Sequence, residues 1–330
     1  MLLSHLSLLR CPRTGEALQL IDAVEGASGI ESGTLVVRSG RSSYPILRGI
    51  PRFVPSDNYA ESFGLQWNRF RRTQLDSVSG VSISRDRFYR VTGWKAHELE
   101  GKRILDVGCG AGRFTEVALD AGAEVIAIDF SSAADACLDN HRERAALTVL
   151  QADIYRLPFA LGSFDFVYCL GVLQHTPDVH AAFLALPPQL ASGGRLAVDI
   201  YPRLALNVLW PKYWLRPITR RLPKQTLLAA VEAAVPVLLP VSRLLGRVPA
   251  VGRKLRHAMP VANYEGILPL NESQLREWAI LDTFDMLAPA HDHPQSVETL
   301  RRWFQEAQLT DVHVARDGFV IGRGTRATAA

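Results

Sequence analysis

The segment Arg103-Ile104-Leu105-Asp106-Val107-Gly108-Cys109-Gly110-Ala111-Gly112 sets an apolar run directly against a glycine loop, and the helix-like Arg113-Phe114-Thr115-Glu116-Val117-Ala118-Leu119 follows at once. A strand that turns through glycines into a helix marks the ligand edge of an open α/β sheet, because backbone without β-carbons can lie flat against a bound molecule. The spacing is G-x-G-x-G, with an aspartate two residues ahead of it. Dinucleotide loops instead favour G-x-G-x-x-G and aim a helix amino end at a pyrophosphate. Asp106 and Asp129 would repel a phosphate; both suit a ligand that carries positive charge.

More strand-like runs follow in order. Val125-Ile126-Ala127-Ile128 ends in Asp129, about twenty residues past the loop, where a carboxylate can accept from both hydroxyls of a ribose. Leu147 to Ala152 ends in Asp153, placed to accept from an adenine amino group. Phe164 to Cys169 runs into Leu170-Gly171-Val172-Leu173-Gln174-His175, and Ser192-Gly193-Gly194 turns into a fifth strand, Arg195 to Ile200. Each polar candidate falls at the carboxyl end of a strand, where open α/β sheets bind ligands. Near the far end, Leu300, Trp303, Phe304 and Ala307 have helical spacing, Val312 and Val314 alternate as a strand, and Gly318 to Gly322 reads as the last of seven strands. Arg323 to Ala330 reads as a frayed tail.

At these residues the chain resembles the class I S-adenosylmethionine-dependent methyltransferases, over roughly residues 100 to 200 and a tail from about 296 to 325. The resemblance implies a doubly wound, seven-stranded, mostly parallel α/β sheet of Rossmann-like type, with S-adenosylmethionine as cofactor. It implies that Gly108, Gly110 and Gly112 lie under the methionine and ribose portion and that Asp106 faces the methionine amino group. Asp129 would hold the ribose, and Asp153 with the backbone of Ile154 would read adenine. Cys109, Arg113, Phe130, Ser131, Leu170 and His175 complete the expected cofactor set.

A chain of 330 residues exceeds a minimal fold of this type, and 48% hydrophobic residues allow a large core. The expected division is a small β-rich unit over 1–56, a helical cofactor-covering segment over 57–100, the core over 101–201, a basic helical insertion and acceptor-binding region over 202–295, and closing core elements over 296–330. Cys11, Cys109, Cys137 and Cys169 lack metal-type pairing, which makes a reducing cytosol the default location. Met1 to Leu9 lacks the pattern of a signal peptide, and no uncharged apolar run reaches the roughly 18 residues of a membrane span. The expectation is a cytoplasmic protein, soluble or peripheral to a membrane.

In the first unit, Glu16 to Asp22, Thr34 to Arg38 and Ser43 to Leu47 are strand-like, separated by Gly26, Gly29, Gly33 and Gly40. Leu9-Arg10-Cys11-Pro12, Tyr44-Pro45-Ile46 and Gly49-Ile50-Pro51 resemble the small zinc-ribbon-like proteins that accompany or activate some methyltransferases. A structural zinc needs about four Cys or His ligands. Only Cys11 is on offer, with Thr14 where a partner cysteine would stand. The expectation is a ribbon without metal, held by its own core and by docking; an unrelated β-rich extension is the alternative. Next, Phe63, Trp67 and Phe70 recur at i, i+4 and i+7 on one helix face. Such a stripe ordinarily serves a core, whereas the resemblance implies a cofactor cover in which Gln66, Trp67 or Arg85 meets the methionine carboxylate.

The span Tyr201 to His257 holds eleven Lys or Arg (203, 212, 216, 220, 221, 224, 243, 247, 253, 254 and 256) against Glu232 alone. Prolines 202, 211, 217, 223, 236, 240 and 249 are expected to cut it into short helices. A lid over the acceptor, a peripheral contact with anionic lipid through 202–257, and a nucleic-acid groove are the open readings; no RNA-binding motif supports the last. His291-Asp292-His293 invites a metal, but a single H-x-H is weak, and no metal site is assigned. With Asp282 and Asp285, these residues read better as an acceptor pocket.

A hydroxyl acceptor needs a base near neutral pH, whereas an acidified carbon acceptor needs none. His175 is the first candidate, with His291 and Asp282 behind it. The leading expectation is methyl transfer to a small-molecule or lipid-linked acceptor, oxygen favoured. Alternatives are an RNA or protein acceptor and an inactive cofactor-binding scaffold.

Overall fold

The first strands of the chain pair among themselves. In the computed structural model, which describes residues 1–27, 29–55, 58–204, 210–252, 256 and 258–328, Leu18–Gly26 (β1), Gly29–Val37 (β2), Ser43–Leu47 (β3) and Ile50–Pro51 (β4) form an antiparallel sheet in that order. Gly26 and Gly29 flank the β1–β2 turn, but Gly33 does not separate strands: it lies inside β2, paired with Ile46. Cys11 Sγ meets the Tyr44 hydroxyl at 3.2 Å. The buried side of the sheet, with Leu35, Val37, Tyr44 and Ile46, is continuous with the core beneath the main sheet.

Four helical pieces follow: Glu61–Arg69 (α1), Asp76–Ser79 (α2), Ile83–Thr92 (α3) and Ala96–Leu99 (α4). The main sheet and its helices then run through Arg103–Val107 (β5), Arg113–Asp120 (α5), Glu124–Asp129 (β6), Ala133–His141 (α6), Leu147–Gln151 (β7), Phe164–Leu170 (β8), Val179–Leu184 (α7) and Leu190–Ile200 (β9). Past the insertion helices Pro211–Thr219 (α8), Lys224–Gly246 (α9) and Glu272–Leu287 (α10), the chain returns through Val297–Glu306 (α11) to Leu309–Asp317 (β10) and Phe319–Arg326 (β11).

The seven strands lie in the order β10-β11-β9-β8-β5-β6-β7, with β9 to β7 parallel and β11 antiparallel to both its neighbours, β10 and β9. Helices on both faces leave β5, β6 and β7 buried almost throughout, which is why they read as unbroken apolar runs. The strand order reverses between β5 and β8, so a crevice opens above their carboxyl ends.

Three local expectations are corrected. Ser192, Gly193 and Gly194 do not precede the fifth strand; they lie inside β9, at an irregularity in its register with β8. Arg323 to Arg326 are not frayed, because β11 continues to Arg326 and pairs with β9 as far as Thr325 opposite Arg195. Pro236 and Pro240 do not cut the insertion: α9 runs through both for 23 residues. Proline removes one helix hydrogen bond and costs about 3 kcal/mol in an isolated helix. Here the opposite face of α9 buries Leu228, Val231, Val235 and Leu239 against α10, and that packing offsets the loss. Lys224–Gly246 is thereby long and apolar enough to cross a membrane by length and composition, a property the search for an uncharged run does not detect. Arg253 and Lys254 of the basic tally lie outside the described residues.

Glu116 of α5 accepts hydrogen bonds from the backbone of Asp76 at 2.9 Å and of Ser77 at 3.4 Å, and Asp76 in turn accepts from the backbone of Ser84 and Arg85, both at 2.8 Å. This relay of carboxylates pins α2 and α3 to the core. The first sheet is fixed by a fork: Arg52 donates to both oxygens of Asp135 on α6, at 3.0 and 2.7 Å, and to Gln151 at 3.1 Å. Arg52→Ala removes these charge-assisted bonds, so the urea midpoint should drop by the equivalent of about 1–3 kcal/mol. An unchanged midpoint would show that the fork adds nothing to the joint between the two sheets.

Candidate functional site

Above the β5–β8 reversal lies a cavity of about 660 Å³. Its floor is the glycine loop, where Gly108 has a φ of +82° and Gly110 of +55°, conformations that side chains with a β-carbon rarely adopt. A β-carbon on Gly108 would strike Val172; one on Gly110 would stand 3.1 Å from the Trp67 indole. The loop therefore passes directly beneath the wall opposite it. Asp129, at the end of β6, accepts from the Gly110 amide at 3.0 Å and from the Ser131 amide and hydroxyl at 2.8 and 2.7 Å. Burial pushes its carboxyl up, against these hydrogen bonds. Its Oδ2 accepts one of these bonds and Oδ1 the other two.

The expected cofactor residues divide into those on the cavity wall and those behind it. Gly108, Cys109, Gly110, Arg113, Asp129, Phe130, Ile154, Leu170 and His175 line the cavity. Gly112, Ser131, Asp106 and Asp153 are not on the wall. Gly112 is packed against α6, where a β-carbon would fall 2.6 Å from His141 Nε2. Asp106 accepts from Thr115 Oγ1 at 2.5 Å, and burial raises its carboxyl to about 7. It sits beneath the loop, behind the cavity wall. Asp153 caps the turn Ile154–Arg156 by accepting from the Tyr155 amide at 3.0 Å, while the apolar Ala152 and Ile154 face the cavity beside it.

Helix α1 roofs the cavity with Phe63, Gln66 and Trp67, while Phe70 turns into the insertion core. The Gln66 Nε2 belongs to a residue of this wall and is buried with no hydrogen-bond partner among the described residues, an unsatisfied donor. Arg85 is exposed and points to Asp120 at 3.9 Å, away from the cavity. Arg87, which pattern reading passed over, lines it instead. Its guanidinium pairs at 2.8 Å with the fully buried Asp199 of β9, and Asp199 also accepts from the Gly171 amide. Two more lining residues unassigned from sequence are Tyr59 before α1 and Tyr201 after β9.

The other end of the cavity is formed by α10 and the stretch before it, with Tyr264, Ile267, Trp278, Leu281, Asp282, Asp285 and Met286. No described residue of 202–257 lines it. Asp282 accepts from Trp278 Nε1 at 3.1 Å and from the Tyr264 hydroxyl, and burial raises it to about 6. Tyr201 donates to Asp285 at 3.4 Å. Arg113 is held by Gln74 and Ser84, and burial with the neighbouring Arg87 lowers its guanidinium to about 9.

Two of the three candidate bases meet in this chamber. The His175 ring packs at 5.0 Å from Phe63 and 5.5 Å from Tyr201, and burial lowers its pKa. Its Nδ1 lies 3.0 Å from the backbone carbonyl of His291. A carbonyl only accepts, so Nδ1 carries the proton and Nε2 the lone pair. The His291 side chain is not on the wall; its ring meets Tyr59 edge-on at 5.4 Å and lies tilted beside His293 at 5.6 Å. Asp292 between them is engaged by Lys212 at 3.1 Å and by Arg216, which outweigh burial and hold it below the usual carboxylate range.

Comparison with known proteins agrees with this geometry. Residues 105–198 match the family model described as a methyltransferase domain. Over 140 residues the chain is 36% identical to the ubiquinone biosynthesis O-methyltransferase of Xanthomonas euvesicatoria, covering 39% of this chain and 55% of that one. It is 29% identical over 227 residues to an uncharacterized protein of Synechococcus, covering 66% of this chain and 49% of the other. The chain thus spans about half the length of the curated relatives it matches. Among solved structures, it is similar to the magnesium protoporphyrin IX methyltransferase of Synechocystis with bound SAH, at 17% identity and a TM-score of 0.45, covering 82% of this chain and 97% of that one.

A methyl side chain on the loop should disable it selectively. In Gly110→Ala the new β-carbon both strains the backbone and pushes on Trp67, so affinity for S-adenosylhomocysteine measured by calorimetry should fall at least about tenfold, the equivalent of roughly 1.4 kcal/mol. Binding at the native level would mean that the loop is not the floor of the cofactor site. Bare backbone and a buried acid at the next strand end stand within residues 105–198, the stretch that matches the methyltransferase-domain model, and with the Gln66 amide on the roof they fit S-adenosylmethionine.

Proposed function

We propose that the protein transfers a methyl group from S-adenosylmethionine to a hydroxyl of a small or lipid-linked acceptor, with His175 as general base. S-adenosylmethionine supplies a methyl group already activated on a sulfonium. Gly108 and Gly110 would lie under its methionine and ribose portions, Asp129 would accept from the ribose, and Gln66 would donate to the methionine carboxylate. Phe130, Ala152 and Ile154 give the flat apolar wall that an adenine needs. What remains for the chain is to position the acceptor and take its proton.

The observation that carries the reading is the state of His175. Burial keeps the imidazole neutral, the His291 carbonyl fixes the proton on Nδ1, and Nε2 is left basic in a chamber that also holds Asp282 and Asp285. A hydroxyl that donates to Nε2 is oriented and made more nucleophilic in one contact. The similarity to ubiquinone biosynthesis O-methyltransferases supports oxygen as the acceptor atom.

His175→Gln should lower kcat by about 10²–10⁴-fold with a hydroxyl acceptor found by screening, while S-adenosylhomocysteine affinity changes far less. The pH profile carries a second check. The folded pKa of His175 lies below its ordinary value, so the base stays neutral and active from high pH down past 6.5, and the rate falls only as pH drops through the lowered pKa. An acid limb in kcat/KM above pH 6.5, or an unimpaired His175→Gln variant, would remove this histidine from the role.

A further inference from the structure

No described residue of α8 or α9 lines the cavity, yet the two helices carry a surface that the fold does not bury. Along α9, Val237, Val241 and Leu244 repeat at i, i+4 and i+7 on the side away from α10, and Val237 and Leu244 are each 67% exposed. Val248 and Val251 extend the exposed apolar surface past the helix end. In the turn that joins α8 to α9, Ile218 and Leu222 are exposed around Arg220 and Arg221.

Charge separates this surface from an ordinary protein interface. Between Pro211 and Val251 the chain has seven Lys or Arg and one acid, Glu232, which is paired with Arg69 at 3.1 Å. Lys212 and Arg216 are spent inward on Asp292, and Arg243 on Glu265 and Glu272. Arg220 and Arg221 are exposed and make no ion pair among the described residues, and Arg247 is 73% exposed with Glu265 3.4 Å away. An apolar stripe bordered by cations matches the acyl boundary and phosphates of an anionic bilayer. Although α9 is long enough to span a membrane, Leu228, Val231, Val235 and Leu239 are buried on its inner side, so only its outer side is available to lipid.

We infer that the outer side of α9, with the α8–α9 turn, seats the protein on the surface of an anionic phospholipid bilayer, α9 lying in the plane of the interface. This surface is independent of the acceptor and of the base. The test is co-sedimentation of the full chain with phosphatidylglycerol–phosphatidylcholine vesicles and with pure phosphatidylcholine vesicles. Binding to the first, weakened by salt and by R220A/R221A roughly tenfold or more, is expected, with V237E/L244E abolishing it. Both double variants should bind S-adenosylhomocysteine as the unmodified protein does, which shows that they fold. Failure to bind anionic vesicles, or binding that neither variant reduces, overturns the inference. A concentration-dependent dimer that V237E/L244E dissociates would overturn it too, by assigning the stripe to a second copy of the chain.

Discussion

The structure depends on a close approach of bare backbone to the ends of two parallel strands. Gly108 and Gly110 leave β5 with positive φ, and the Gly110 amide is caught by the Asp129 carboxylate at the end of β6. One hydrogen bond thus sets the height of the loop, orients the acid and fixes the floor on which α1 closes. Because Asp129 is buried, its charge is tolerated only while Gly110 and Ser131 donate to it. Behind the loop Gly112 must be equally bare, since α6 presses on it through His141, whose Nε2 donates to the Gly112 carbonyl at 3.0 Å. The three glycines therefore answer two different demands. Two make space for the cavity wall at Val172 and Trp67, and the third makes space for a helix.

A second constraint ties the roof to the sheet. Asp199 is fully buried at the end of β9 and would be untenable alone; Arg87 from α3 neutralises it, and the Gly171 amide after β8 fills its second oxygen. The guanidinium also lies 4.2 Å from the Phe319 ring centroid. One ion pair thereby fastens a helix that precedes the sheet to the two strands flanking the chamber. Pairing a charge with a partner 112 positions away leaves no periodic trace, so this contact is invisible in the sequence. Arg85, a plausible site residue by position alone, differs from Arg87 only in which side of α3 it occupies.

What could be read from the sequence was whatever local physics determines. Strands buried on both faces announce themselves as apolar runs, so β5 to β8 and the ligand edge were legible, as was the seven-stranded sheet that the fold displays. Residues that act through tertiary contact were not. Asp106, inside β5, accepts from Thr115 of α5, and Asp199 takes its partner from α3, neither of which a local pattern records. Helix α9 misled for the opposite reason. Its prolines oppose a helix locally, but the carbonyls they release, those of Glu232 and Pro236, belong to a half-exposed stretch while four large apolar side chains are buried on the other side. Tertiary burial outweighed local preference.

The acceptor chamber shows the same contest between burial and pairing, turned to use. Burial favours the neutral form of His175, and Asp285 is the leading influence in the other direction. At rest burial prevails and the ring has a lone pair to offer. In the proposed reaction, an imidazolium formed there would have Asp285 nearby and the His291 carbonyl already on Nδ1, so its charge would be met by groups in place beforehand. Tyr201 holds Asp285, while Tyr264 and Trp278 hold Asp282. Each carboxylate is therefore oriented by a donor on an aromatic side chain, which adds an apolar wall where it supplies a polar contact. Under the proposed reaction, a chamber built this way would take a ring or chain that carries a hydroxyl.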